Sequence, residues 1–80
     1  MHDGGILSER EQRLLLVFRQ AIEDERRAQD TYAEALTITD DPMLLAVFAA
    51  LRDDEARHER ELASRYSEFK QRFLSSPQKT

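Results

Sequence analysis

Thr37-Ile38-Thr39-Asp40-Asp41-Pro42 is the stretch at which an otherwise helical pattern breaks. Two β-branched threonines around an isoleucine close one helix. The next opens with Asp41 as N-cap and Pro42 at the first helical position, where a missing N–H costs nothing. Upstream, Leu14, Phe18, Ala21, Ala28, Tyr32 and Ala35 advance by three, four or seven residues, the spacing of a helix face, and Leu15, Ile22 and Leu36 widen it. That helix starts at Ser8-Glu9-Arg10-Glu11, a capping box in which Ser8 and Glu11 satisfy each other's amides. Downstream, Leu44, Phe48, Leu51, Leu62, Tyr66, Phe69 and Phe73 share one face before Ser75-Ser76-Pro77 stops the run. The expected helices cover about 9–37 and 42–74, after a flexible lead over 1–7 and before a polar tail over 75–80. No internal repeat and no low-complexity segment is read. A connection of about five residues makes the helices antiparallel neighbours. The fold class is all-α, a long two-helix hairpin.

Composition narrows the remaining choices. Eighty residues allow one small domain, and the longest apolar run is Leu14 to Phe18, far short of the roughly 20 residues of a membrane helix. No amino-terminal stretch has the order of a secretory signal, so a cytoplasmic protein is expected. The chain has no cysteine, which excludes disulfides, thiolate zinc sites, iron–sulfur clusters and redox dithiols. A net charge of −4 argues against nucleic acid as a partner. The stretch Arg57-His58-Glu59-Arg60 mixes both signs and is no basic patch. A chain this short rarely sustains a core by itself, so a metal or a second subunit is expected to complete the fold.

Three ionisable residues interrupt the apolar faces. Glu25 lies between Ala21 and Ala28, and Glu55 and His58 lie between Leu51 and Leu62. Residues three apart share a helix face, so Glu55 and His58 point nearly the same way. With the turn near Asp40, Glu25 lies fifteen residues before it and Glu55 fifteen after, which puts both about 22 Å from the turn at one level. Ionised carboxylates in an apolar seam are costly unless paired or metal-bound. One Glu facing a Glu-x-x-His is half of a di-iron carboxylate site, and a two-fold homodimer would supply the other half. Carboxylate and imidazole ligands suit iron or manganese and also accept zinc. The plain alternative is a buried polar network in which Arg26, Arg52 or Arg57 of another chain neutralises the acids. Asp24, Asp53, Asp54, Glu59 and Glu61 are expected on the solvated surface, with Glu59 placed to guide cations. His2, in the lead, has no assigned role.

The segments Glu25-Arg26-Arg27-Ala28-Gln29-Asp30-Thr31-Tyr32, Asp41-Pro42 and Asp54-Glu55-Ala56-Arg57-His58 resemble the ferritin-like superfamily. Glu-x6-Tyr with a later Glu-x-x-His is similar to rubrerythrins, and the size and spacing are similar to the two-helix encapsulated ferritins. The resemblance covers roughly residues 15–66. It implies a dimer forming a ferritin-like four-helix bundle, with Glu25, Glu55 and His58 as iron ligands and Tyr32 hydrogen-bonded behind them. It also implies a ferroxidase that oxidises Fe²⁺ at a di-iron centre between subunits, in iron storage or detoxification. Two irons per dimer are expected, with manganese, zinc or calcium as substitutes. Dimers of that family associate into a ring inside an encapsulin shell. Here Arg27 stands where a further acid is expected, and the tail from Ser75 to Thr80 is not a convincing shell-targeting peptide. Two other functions fit the residues: a rubrerythrin-like peroxide reductase served by a separate electron donor, and a metal-free helical assembly module.

Overall fold

The computed structural model describes residues 7–75. The lead and tail expected at 1–7 and 75–80, His2 included, lie outside the described residues apart from positions 7 and 75. Two helices make up the described chain, α1 (Glu9–Ile38) and α2 (Pro42–Ser75). Each runs one residue past its expected end, within the ordinary fraying of helix termini. The Ser8 Oγ accepts from the Glu11 amide at 3.1 Å while Glu11 Oε1 accepts from the Ser8 amide at 3.0 Å. At the second start, Asp41 Oδ1 accepts from the amides of Met43 (2.8 Å) and Leu44 (3.2 Å). The Thr39 Oγ1 accepts from the Asp41 amide at 3.1 Å and shapes the three-residue link. The hairpin measures 61 × 18 × 13 Å.

The half-buried positions follow a heptad spacing. On α1 they include Leu15, Phe18, Ile22, Glu25, Gln29, Tyr32 and Leu36; on α2, Leu45, Phe48, Arg52, Glu55, Glu59, Leu62, Tyr66 and Phe69. Steps of three and four in strict alternation keep one seam facing its neighbour along the whole length. Aromatic rings fill both ends of it. Phe18 packs on Phe69 (centroids 5.1 Å) and Tyr66 (6.2 Å) far from the turn, and Tyr32 stacks on Phe48 (6.2 Å) nearer to it. No described residue is fully buried. A helix with a single neighbour can shelter only a strip, so the seam is wetter than a domain core.

Two expectations need correction. The spacing predicts Leu14 and Leu44 on the inner face with Phe18 and Phe48, yet they are 46% and 43% exposed. Leu15 and Leu45 take the seam, and their predecessors in sequence are rotated about 100° around the helix to its edge. The second concerns repeats. Residues 14–27 and 44–57 align without a gap at an offset of 30, and seven of fourteen positions are identical: Leu14/Leu44, Leu15/Leu45, Val17/Val47, Phe18/Phe48, Asp24/Asp54, Glu25/Glu55 and Arg27/Arg57. A fourteen-residue stretch of each helix thus follows one pattern, and the two stretches run antiparallel about the level of Glu25 and Glu55. Differences at the intervening positions hide the match from inspection of composition.

Replacing Asp41 by Ala leaves the first amides of α2 unpaired. We expect a loss of about 1 kcal/mol in urea unfolding; an unchanged midpoint would show that Pro42 alone sets this helix start.

Candidate metal centre

Glu25 reaches the seam from the middle of α1, and Glu55 and His58 come from one turn of α2. The expected trio does converge: one ligand atom from each lies within 4.8 Å of the other two. His58 Nδ1 stands 3.6 Å from Glu55 Oε1 and 3.9 Å from Glu25 Oε1. The two carboxylate side chains are 23% exposed and the imidazole 46%, so His58 sits at the edge of the seam and reaches in. Its place matches helix geometry, since position 58 lies on the same edge as Leu44 and Leu51.

Glu25 Oε1 is closed off from solvent and has no hydrogen-bond partner among the described residues. A carboxylate oxygen in that state lacks both water and a donor, which native structures seldom tolerate. The arginines that could neutralise it are engaged elsewhere in the chain: Arg26 with Glu59, Arg52 with Asp53, Arg57 with Asp54. A divalent ion with bonds of about 2.0–2.2 Å holds its ligand atoms roughly 3–4 Å apart, the range of the two distances from His58 Nδ1 to the carboxylates. The donor set of two hard oxygens and one imidazole nitrogen fits iron, manganese or zinc. Three protein donors would leave a metal ion held here open to further ligands.

Glu59, expected on the surface, lies in the seam instead, its side chain 21% exposed. Its Oε2 accepts from Arg26 Nε, and its Oε1 from Gln29 Nε2 at 2.7 Å. The Arg26 hydrogen bond, with help from Gln29, holds the Glu59 carboxyl below the usual glutamate range, and Glu59 raises the Arg26 guanidinium in return. The heptad frame was the signal that could have located this residue: Glu59 follows Glu55 by four, the next seam step after Arg52 and Glu55. Asp24, as expected, is at the surface, where hydrogen bonds from Arg27 and Gln20 lower its carboxyl. Tyr32 is one heptad from Glu25 toward the turn, with its ring against Phe48.

The chain matches no family model, no curated protein and no solved structure. Among the described residues, no helix is long and apolar enough to cross a membrane.

Removing the orphaned charge should stabilise the metal-free hairpin. We expect Glu25→Leu to raise the melting temperature in the presence of chelator and to abolish binding of divalent ions. A lower melting temperature would mean that Glu25 is already satisfied by a partner.

Proposed function

We propose that this chain is a ferritin-like ferroxidase whose di-iron centre is completed by a second copy. The observation that carries the reading is the closed, unpartnered Glu25 oxygen facing Glu55 and His58 across the seam. Two anionic oxygens favour Fe³⁺ over Fe²⁺ because the higher charge gains more from them, so Fe²⁺ held here is easier to oxidise. Each Fe²⁺ gives up one electron. Two such ions and two protons convert one O₂ to H₂O₂, a balanced step that needs two irons together. His58, at the edge of the seam, would supply a neutral nitrogen, and the Tyr32 hydroxyl would steady a ligating carboxylate.

The shape of the hairpin supports a second copy. Among the described residues no side chain is fully buried, and Leu14, Leu44 and Val47 stay 43–46% exposed on one edge, apolar surface that a second copy would cover. The edge bearing Glu25 also carries Leu14, Ala21, Ala28 and Ala35, and the edge bearing Glu55 carries Leu44, Leu51 and His58. Small residues on one helix beside large ones on the other suit a self-complementary four-helix bundle.

Aerobic Fe²⁺ oxidation followed by absorbance tests the activity. Glu55→Ala should slow it at least tenfold, and equal rates for variant and wild type would sink the assignment. Native mass measurement tests the assembly and the ligands together. The dimer should gain two irons and become more populated with Fe²⁺, and His58→Ala should lower occupancy with helix content unchanged. A species without metal at every Fe²⁺ concentration would favour a metal-free assembly module.

A further inference from the structure

Beside the ligand trio, two side-chain hydrogen bonds across the seam converge on Glu59. Both of its oxygens are held by residues that flank Glu25 in the sequence or on its helix. Arg26, the next residue after Glu25, takes one oxygen; Gln29, one turn on, takes the other. The Gln29 amide also donates to the Glu25 backbone carbonyl at 3.3 Å. One amide thus joins the main chain of one candidate ligand to the residue that follows another, because Glu59 is bonded covalently to His58. Gln29 and Arg26 fall on one edge of α1, while Glu25 leans to the opposite edge with Ala21 and Ala28. The network therefore lies behind the metal centre, at its level, and does not occupy it.

We propose that Arg26, Gln29 and Glu59 form a positioning clamp that holds Glu25 opposite Glu55 and His58 before metal arrives. The proposal rests on the reading of those three as metal ligands. Two like charges within 4.8 Å of each other push their helices apart or roll them until the carboxylates reach water. The clamp resists both motions, since separation would break two hydrogen bonds and rotation would misalign the Arg26 and Gln29 donors together. A site held this way binds metal without first drawing its helices together, and a loss of half an ångström in placement weakens binding. None of the three residues touches the metal position, so they are positioning residues.

The test uses the full chain with Co²⁺ as the probe, comparing wild type, Glu59→Gln and Arg26→Gln. Arg26 is largely exposed, so its variant serves if Glu59→Gln fails to fold. Calorimetric titration should show about a tenfold loss of Co²⁺ affinity, with helix content unchanged. The visible Co²⁺ absorption should also change, which a loss of bulk stability would not cause. The charge-swapped pair Arg26→Glu with Glu59→Arg should recover most of the affinity. In metal-free protein, nuclear Overhauser contacts from the His58 ring to Glu25 should weaken in the single variants. Affinity, absorption and contacts all unchanged in a folded variant would overturn the clamp. If the wild type binds no Co²⁺, the metal reading fails, and the His58–Glu25 contacts alone decide the clamp: unchanged contacts overturn it, weakened contacts support it.

Discussion

Glu25 and Glu55 face one another across a seam that holds little else able to absorb their charge. With ligand oxygens within 4.8 Å of each other, two carboxylates repel one another wherever both are ionised, and the helices that carry them must be held together by other contacts. Much of the surrounding arrangement can be understood as a response to that repulsion. Aromatic layers on either side, Phe18 with Phe69 and Tyr32 with Phe48, keep the helices packed where the carboxylates would part them. His58 brings a nitrogen to both acids, and Glu59 draws Arg26 and Gln29 across the opposite edge. Arg52, at a seam position, and Arg57, at the surface, pair with Asp53 and Asp54.

Local chemistry made much of this legible beforehand. The capping box at Ser8, the Asp41-Pro42 start and the equal distances of Glu25 and Glu55 from the turn depend only on near neighbours and helix rise, so they could be read from residue order. Rotation about the helix axis was harder to read. Whether Leu14 or Leu15 meets the opposite helix depends on both helices together, since a row of leucines offers either choice at similar cost. The seam position of Glu59 is hidden in the sequence for a related reason. A glutamate among Arg57, His58, Arg60 and Glu61 looks like surface charge until its partners, thirty and thirty-three residues away, are known to stand opposite. Tyr32 and Phe48 belong to the legible set, because each lies one heptad to the turn-facing or turn-proximal side of an acid already located.

Folding the matched stretches 14–27 and 44–57 antiparallel gives that part of the hairpin an approximate two-fold axis through the level of Glu25 and Glu55, perpendicular to its length. The greasy part of the exposed edge, with Leu14 and Val17 at one end and Leu44 and Val47 at the other, therefore reads almost the same when the molecule is turned upside down. Shape and apolar contact alone would let a partner dock either way up. What tells the ends apart are the positions where the pattern departs from itself, among them Ala21 against Leu51, Ile22 against Arg52, Arg26 against Ala56 and, just past the matched stretch, Ala28 against His58. Arg26 and His58 stand at the level of the candidate metal centre, so some of the residues that set which way up a partner docks also belong to the candidate site or its surroundings.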